Sequence, residues 1–477
     1  MIAWVRSVFA QLFEVRQEER VKVVLLALTF GLIIAGYAAA KELKDTVFMA
    51  IVGRDYIPLA RTLALFAMIP PIYLYAKIVD RLRPYHVLTA CSLFFGLIGL
   101  IFAYYIGDPG IGITNTDTGP NRLFGWLLYF FVEGYTPFLV SVFWAVANSV
   151  NNPMAARENY GLIVSGSKVG GLLSSGLAWW LFSWASSLAD PSAYDVFTHQ
   201  AVFAISSLII LLVPVCIHLL VKHVPKKQLH GYEAAYQVEK QRRKAGEART
   251  GFFAGLKVFL KYPYVLGIFG MVFFFEVITT VVSFLRLGEA GANATSVSGV
   301  TSYLFKTIFI MHVVTLLISV LGTRPLFKLL GERVCLLLIP TASAVVLVYF
   351  MFNMTPGALI LTYTTLKAIN FAFSWPVRES LYIPTVKDIR FKAKSWIDVF
   401  GTKFAKTTGS AFNYTFITGA MIPATLLPPL VGFVVPVMLL WTGTAYLLGI
   451  RYDRAVRNNE VIGYDEAAAS DTGAGAS

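Results

Sequence analysis

Apolar windows of about 20 residues, the length that an α-helix needs to cross a bilayer, recur twelve times along this 477-residue chain. The composition agrees, because 57% of the residues are hydrophobic, only 14% are charged, and the mean hydropathy is +0.66. Such values are typical of polytopic membrane proteins and exclude a water-soluble domain built around one core. The windows begin near Val21, Tyr56, Tyr85, Leu123, Tyr160, Gln200, Tyr264, Val297, Val334, Gly357, Trp396 and Leu427. We therefore predict an all-α membrane protein with twelve transmembrane helices.

Lysine and arginine are concentrated in every second connection and in both tails, which predicts cytoplasmic termini. This topology accounts for much of the net charge of +13 and favours contact with anionic lipid over nucleic-acid binding. Residues 1–20 lack a cleavage site and are predicted to form an amphipathic cytoplasmic helix. We predict a first six-helix half over 21–221, a cytoplasmic linker over 222–251, a second six-helix half over 252–450, and a disordered cytoplasmic tail over 451–477.

Two short patterns recur in the same order in both halves of the chain. Trp-Ala-Val-Ala-Asn-Ser at 144–149 is echoed by Trp-Pro-Val-Arg-Glu-Ser at 375–380, and Gly-Ser-Lys at 166–168 by Gly-Thr-Lys at 401–403. Two six-helix pseudo-repeats predict the major-facilitator fold, in which substrate binds between the halves near the midplane. The Gly-Ser-Lys and Gly-Thr-Lys tripeptides lack the preceding glycine of a phosphate-binding loop, so we interpret their glycines as close-packing residues. No enzyme signature is present.

Ionisable residues inside the apolar windows are the strongest functional signal. Each costs at least ~2.5 kcal/mol in hydrocarbon, so such residues usually face a bundle interior or an aqueous path. Cations outnumber anions among them, which points to an anionic ligand, and lysine provides a mobile donor for phosphate oxygens. Lys306 and Lys367 lie about ten residues into their windows, near mid-membrane at ~1.5 Å per residue. The predicted phosphate-binding residues are Lys44, Arg61, Lys306, Lys367 and Lys406.

Several longer motifs carry a family resemblance. They are Lys44-Asp45 followed by Tyr-Ile-Pro at 56–58, Glu133 before Phe-Trp-Ala-Val-Ala-Asn at 143–148, Glu276-Val277, Arg-Glu-Ser-Leu-Tyr-Ile-Pro at 378–384, and Lys-Ala-Lys-Ser-Trp-Ile-Asp-Val at 392–399. With these motifs the chain resembles the nucleotide transporters of plastids and obligate intracellular bacteria, the ATP/ADP translocase type. The resemblance implies exchange of ATP for ADP, or nucleotide uptake by proton symport or by exchange. It also implies the inner membrane of an obligate intracellular bacterium.

The resemblance singles out four charged positions and shows two departures. Lys44, Glu133, Glu276 and Lys406 match charged residues important in the family. Where exchangers carry a Trp-Lys-Ser-Lys-like run after the seventh-span glutamate, this chain has Ile-Thr-Thr-Val-Val-Ser at 278–283, and Asn370 replaces a second lysine. The loss of two cations leaves open both the number of phosphates recognised and strict ATP/ADP exchange.

Three further groups of residues complete the predicted site. Asp45, Glu133 and Glu276 either pair with lysines or couple transport to protons, because burial favours a protonated carboxyl group. The candidates for contact with the base are Tyr135, Trp144, Phe274 and Asn370. The predicted cytoplasmic gate contains Lys168, Arg378, Glu379, Asp398 and Lys403, with an ion pair between Arg378 and Glu379. Lys41 and Glu42 fit an exposed helix end without a specific role, and His312 fits a packed helix contact.

Other ligands and other functions have less support. The three cysteines are isolated, no metal-ligand spacing occurs, and no cofactor is implied. The expected partners are nucleotides and membrane lipid, with no nucleic acid, and we expect a monomer. The alternative function is proton-coupled symport of another anionic phosphorylated metabolite or a dinucleotide. A receptor or scaffold that moves no substrate would have no need of lysines inside its membrane spans.

Overall fold

The computed structural model describes residues 17, 19–72, 74, 82–151, 153–190, 192–224, 259–321, 323–382, 384–386, 389, 393–418 and 423–463. In this part of the chain the architecture is helical, with one isolated β-bridge between Thr385 and Ile462. Eight helices within the described ranges are long and apolar enough to cross a membrane. The predicted amphipathic helix at 1–20 and linker at 222–251 lie almost entirely outside the described residues.

The helices are numbered along the chain. The first are α1 Arg20–Ile51, α2 Ile57–Ala67, α3 Pro84–Ile106, α4 Leu123–Val150, α5 Pro153–Ser186 and α6 Ser192–His223. The next are α7 Pro263–Asn293, α8 Val297–Leu321 and α9 Thr323–Phe352. α10 consists of Pro356–Ile369, Asn370–Ser374 and Trp375–Leu381, and α11 of Lys394–Trp396, Ile397–Gly401, Thr402–Phe412 and Asn413–Ile417. The last is α12, Pro423–Arg457. The eight candidate spans lie in α1, α3, α4, α6, α7, α8, α9 and α12.

Proline marks the start of several helices, namely α3, α5, α7, α10 and α12. Its fixed φ suits the first helical turn, and the N–H that it lacks would have no intrahelical partner there. In α10 the side chain of Thr355 also accepts a hydrogen bond from the Ala358 amide at 3.2 Å. The windows predicted from Tyr85, Tyr264 and Gly357 therefore begin one residue after the proline that starts the observed helix.

Three helices begin at least seven residues earlier than the sequence predicts. The predicted starts are Tyr160, Gln200 and Val334, whereas α5 begins at Pro153, α6 at Ser192 and α9 at Thr323. The added residues of α6 include polar side chains such as Asp195 and His199. An apolar window measures the part of a helix that suits hydrocarbon, whereas backbone hydrogen bonds continue the helix into the polar flank.

Short π-helical turns interrupt three helices. α4 contains one at Thr136–Val140, α10 one at Asn370–Ser374, and α11 two, at Ile397–Gly401 and Asn413–Ile417. The turns in α4 and α10 begin three residues after Glu133 and Lys367, respectively. Such turns occur mostly as local irregularities at functional sites. Two of the charged residues predicted to handle substrate thus immediately precede a change in helical pitch.

The described residues divide into two compact units. The first contains those before residue 250 together with Arg286–Val313, and the second contains those of Thr250–Leu285 and Val314–Ser477. The end of α7 and the start of α8 therefore group with α1–α6, although the predicted domain boundary placed both helices wholly in the second half. The division of the chain into two six-helix halves stays a prediction.

Backbone contact between α1 and α5 forms the centre of the first unit. A methyl group added at Gly166 would lie 2.2 Å from the carbonyl oxygen of Ala27, and one at Gly170 would lie 2.1 Å from that of Gly31. Small residues allow this approach, which is a common way to join helices in a membrane. The close-packing role predicted for Gly166 is confirmed. On the outer surface, Leu177 and Trp180 are two-thirds exposed, as suits a face turned to lipid.

In the second unit α9 packs on α12, and α12 continues through the first residues of the predicted disordered tail. After the helix ends at Arg457, the chain turns back and Glu460 forms an ion pair with Arg451. In this pair Arg451 Nη1 donates a hydrogen bond to Glu460 Oε2 at 2.7 Å. Ile462 then pairs with the loop after α10, because its amide donates to the Pro384 carbonyl at 2.7 Å. These contacts order residues 451–463, which the apolar pattern alone assigned to a tail.

Candidate functional site

A cluster of five side chains in the first unit, here called the Lys44 cluster, contains Lys44, Asp45, Arg61, Tyr129 and Glu133. The Lys44 ammonium lies 2.7 Å from Glu133 Oε1 and 3.3 Å from Asp45 Oδ1. It also lies 4.0 Å from the centre of the Tyr129 ring. Arg61 interacts electrostatically with Tyr129, Asp45 and Glu133. The structure thus brings together four residues that the sequence predicted separately, and adds the tyrosine.

Three helices position this cluster. Lys44 and Asp45 lie on α1, Arg61 lies on α2, and Tyr129 and Glu133 are one turn apart on α4. Positions i and i+4 share a helix face, so the ring and the carboxylate meet the ammonium from the same side. Tyr129 was not predicted from the sequence, because aromatic residues are abundant in this chain.

The Lys44 cluster is buried and its formal charges balance. The Lys44 side chain is 5% exposed, that of Asp45 is 8% exposed, and that of Glu133 is 20% exposed. Two cations face two carboxylates, which satisfies the requirement that a buried charge be paired. An anion that reaches Lys44 therefore competes with carboxylates that already pair with it.

A second buried ion pair lies in the same unit. Arg286 Nη2 donates to Glu42 Oε2 at 2.7 Å, and both side chains are almost completely buried. Nη1 of Arg286 also donates to the Leu304 carbonyl at 3.3 Å. The expectation that Glu42 is exposed without a specific role is wrong, because the partner comes from α7, far along the chain. Arg286 was not predicted from the sequence, although it is a lone arginine in an apolar window.

Polar contacts also fasten the start of α8 to α6. Asp195 accepts hydrogen bonds from the amides of Val297 and Ser298 at 3.0 and 2.8 Å. These amides belong to the first turn of α8, which has no intrahelical partners for them, and a carboxylate also suits the positive end of the helix dipole. His199 Nε2 lies 2.8 Å from Thr301 Oγ1 in the next turn. These contacts fix the beginning of α8 within the first unit.

In the second unit the predicted charges lie in a looser arrangement. Lys406 Nζ lies 4.0 Å from Glu276 Oε2, and the Lys406 side chain is 41% exposed. Lys367 Nζ lies 5.4 Å from the centre of the Phe275 ring, next to Glu276 in the sequence. The second unit therefore contains a cation-rich group formed by Glu276, Lys367 and Lys406 on three different helices. Lys306, on α8 in the first unit, is exposed.

The four residues predicted to contact the base have different surroundings. Tyr135 is completely buried against Phe95 and Phe131, an environment that favours packing. Trp144 is half-buried and contacts Phe30 and Tyr160 edge to face. Phe274 is half-buried and lines a groove between α7 and α12, and Asn370 is buried at the start of the α10 π-turn. Within the described part of the chain, Asn370 Oδ1 accepts no hydrogen bond. Asn370 therefore offers the clearest polar edge for a ligand.

The residues predicted as a cytoplasmic gate are half-buried or exposed. Glu379 accepts hydrogen bonds from Lys394 at 2.6 and 2.7 Å, a partner that the sequence analysis did not name. Arg378 interacts electrostatically with Asp398, which lies in the first π-turn of α11. Lys168 and Lys403 are half-buried on α5 and α11. The end of α10 is therefore connected to the start of α11 by two interactions, one between Glu379 and Lys394 and one between Arg378 and Asp398.

His312 lies where the sequence predicted a helix contact. A methyl group added at Gly171 would lie 2.6 Å from its Cε1, so the imidazole packs directly on α5. In the ranges that the structure describes, no group of three His, Cys, Asp or Glu side chains is arranged to hold a metal ion.

Comparison with known proteins decides the family. A family model described as TLC ATP/ADP transporter matches residues 124–370, just over half of the chain. The chain belongs to the ATP/ADP transporter family. It is a multi-pass membrane transporter and not an enzyme, as the sequence predicted. The matched region of this ATP/ADP transporter includes Glu133, Glu276 and Lys367, but it begins after Lys44 and ends before Lys406. No curated protein matches the chain significantly.

Solved structures agree on the fold of this ATP/ADP transporter. A D-xylose-proton symporter aligns with a TM-score of 0.59 at 16% identity, covering 90% of this chain and 96% of its own. The inward-open xylose transporter XylE from E. coli gives 0.55 at 15% identity, covering 91% and 95%. The nucleoside transporter NupG gives 0.52 at 14% identity, covering 92% and 100%. The predicted major-facilitator type of fold is confirmed, while the low identities carry nothing about substrate.

Proposed function

We propose that this protein moves nucleotides such as ATP and ADP by alternating access, and that a nucleotide phosphate takes the place of Glu133 at Lys44. The observation that carries this proposal is the Lys44 ammonium, which is buried and contacts two carboxylates and an aromatic ring. A phosphate oxygen can replace the Glu133 carboxylate at the same distance, because both are charge-assisted acceptors for an ammonium.

Further residues extend the proposed phosphate site. Arg61 supplies a second cation within the Lys44 cluster, and Lys367 and Lys406 supply cations on α10 and α11. Lys306 is exposed on α8, where a lysine suits an aqueous path better than lipid. In the proposed site Asn370 reads the edge of the base with its unpartnered oxygen, and Trp144 or Phe274 stacks on it.

The charge balance of the Lys44 cluster bears on coupling. A nucleotide brings several negative charges to a site whose two cations already face two carboxylates. In an exchanger a second nucleotide replaces the one that leaves. The carboxylates pair with the cations again only in the interval between release of the first nucleotide and binding of the second. In a symporter Glu133 or Glu276 takes up a proton, so that the cations are free for phosphate. Both modes use the same residues, and a pH step distinguishes them.

The proposal includes a membrane arrangement. Twelve spans in two six-helix halves would place the substrate between the halves, as in other transporters built from two repeated halves. The cation-rich alternate connections favour cytoplasmic termini, and the proposed location is the inner membrane of an obligate intracellular bacterium. In that setting the protein would act as a monomer.

Uptake by proteoliposomes tests the function. Vesicles that contain the purified protein are loaded with ADP or with buffer, given labelled ATP, and in a parallel set exposed to a pH step. Uptake that requires internal ADP identifies an exchanger, and uptake into buffer-filled vesicles that follows the pH step identifies a symporter. No uptake under any condition would overturn nucleotide transport and favour another phosphorylated anion.

A matched pair of lysine variants tests the site. Lys44→Gln removes the proposed phosphate contact and should raise KM for ATP at least ~10-fold, because one charge-assisted contact is lost. Lys22→Gln serves as the control, because Lys22 lies on the same helix, is equally buried, and also contacts a glutamate. Equal KM values in the two variants would refute the assignment of Lys44.

A further inference from the structure

The Lys44 ammonium has one partner that carries no charge. Tyr129 presents its ring face to Nζ, with 4.0 Å between the nitrogen and the ring centre. An ammonium within about 6 Å of a ring face is attracted to the negative face of the aromatic ring. Neither the sequence motifs nor the family description assigns a role to this tyrosine.

The ring is held firmly in place. Tyr129 is 1% exposed, and its ring meets Phe48 of α1 edge to face with 5.0 Å between ring centres. Phe48 lies one turn after Lys44 on α1, so the same helix supplies both the ammonium and the aromatic support. Close packing and the edge-to-face contact both favour this position of the ring.

In the proposed cycle a phosphate replaces Glu133 at Lys44, whereas Asp45 and Tyr129 keep their places beside the ammonium. Arg61 faces the same tyrosine and is itself a cation, so it cannot hold the ammonium. The ring face is therefore an uncharged contact that persists, together with the Asp45 pair, both with and without nucleotide.

We propose that Tyr129 is a positioning residue, whose ring holds the Lys44 ammonium in place while its anionic partner changes from Glu133 to a nucleotide phosphate. This inference rests on the proposed function. It predicts that the ring matters more than the hydroxyl group, and that loss of the ring weakens nucleotide binding more than it slows the transport step.

The first test compares variants with and without a ring. Tyr129→Phe keeps the ring face and should leave KM for ATP within about threefold of the unchanged protein. Tyr129→Leu and Tyr129→Met remove it and should raise KM about 5- to 30-fold, with a smaller change in the maximal rate. Phe124→Leu is the control and should leave KM unchanged, because Phe124 is also buried on α4 but packs on Phe102.

A second series keeps the shape of the side chain, in case the aliphatic variants fail to fold. Phenylalanine with one, two or three ring fluorines at position 129 retains the packing but progressively weakens the attraction of the ring for a cation. KM should rise stepwise with fluorination if the ring positions Lys44. A purely structural role would leave KM unchanged along the series, and that result would overturn the inference.

Lys44→Gln separates the two levels of the argument. If it leaves KM unchanged, the phosphate site at Lys44 is wrong and the role of Tyr129 falls with it. If it raises KM while the fluorinated series and the ring-free variants do not, the phosphate site stands and only the positioning role of Tyr129 is refuted.

Discussion

Removal of the Arg286 charge should destabilise the protein strongly. Arg286→Met keeps a long apolar side chain but leaves the Glu42 carboxylate buried without its cation. With charge centres about 4 Å apart, an effective dielectric constant of about 20 gives an attraction of about 4 kcal/mol. Breaking a buried pair from one side typically costs 3–5 kcal/mol. The lost hydrogen bond to the Leu304 carbonyl adds about 1 kcal/mol at most.

Removing both charges should be much less harmful than removing one. Glu42→Leu with Arg286→Met replaces the pair by apolar groups, and such replacements are often neutral or stabilising because no ion remains buried. We therefore expect the double variant to be within about 1 kcal/mol of the unchanged protein, while each single variant is several kcal/mol less stable.

Thermal unfolding in detergent micelles, followed by tryptophan fluorescence, measures the difference. A loss of 3–5 kcal/mol should lower the midpoint by roughly 6–10 °C in a unit of this size. Lys394→Met is a suitable control, because its pair with Glu379 is about one-third exposed and should cost at most about 1 kcal/mol. A double variant as unstable as the sum of its singles would show that the two charges act independently and would refute the reasoning.

Three further predictions concern packing, helical pitch and pH. Gly166→Ala should destabilise the protein by about 1–3 kcal/mol in thermal unfolding, because its methyl group meets a backbone carbonyl of α1, whereas Gly161→Ala meets nothing within 4 Å and should be neutral. Deletion of one residue within Thr136–Val140 should convert the wider π-turn into an α-helical turn while the flanking segments of α4 keep their register, and it should lower ATP uptake without changing circular dichroism. The hydrogen bond from Arg451 lowers the pKa of Glu460 below its ordinary value of 4.5, so the pair should stabilise residues 458–463 above pH 4.5 and be lost as the pH falls through the lower folded pKa. The protection factors of those amides, which correct the exchange rates for their intrinsic pH dependence, should fall at low pH, and should already be small at neutral pH in Glu460→Gln.

Much of the fold was accessible from the sequence because a bilayer imposes one length on every span. The start of α8 at Val297 was predicted at the observed residue, because the apolar run and the helix begin at the same residue. The start of α5 could not be predicted in this way, because polar residues continue the helix beyond the apolar window. The membrane constrains hydrophobicity, while helix ends depend on backbone hydrogen bonding.

The site was accessible only in part. A charged residue in an apolar window is visible in one dimension, so Lys44 and Glu133 could be named from their cost in hydrocarbon. Their contact with each other across 89 positions could not be inferred, because pairing depends on how α1 packs against α4. Tyr129 was hidden for a different reason. Aromatic residues are abundant in this chain, and only the three-dimensional arrangement separates a ring that faces an ammonium from one that fills the core.

The glycine contact between α1 and α5 has a practical consequence for measuring motion. At Gly31, Gly166 and Gly170 the two backbones touch with no layer of side chains between them, so neither helix can slide past the other without a backbone collision. We therefore expect α1, which contains Lys44, and α5, which contains Lys168, to move together. Spin labels placed on the outer faces of α1 and α5 should keep the same separation with and without nucleotide. Their separation would provide a fixed reference distance with which displacements elsewhere in the transporter can be compared.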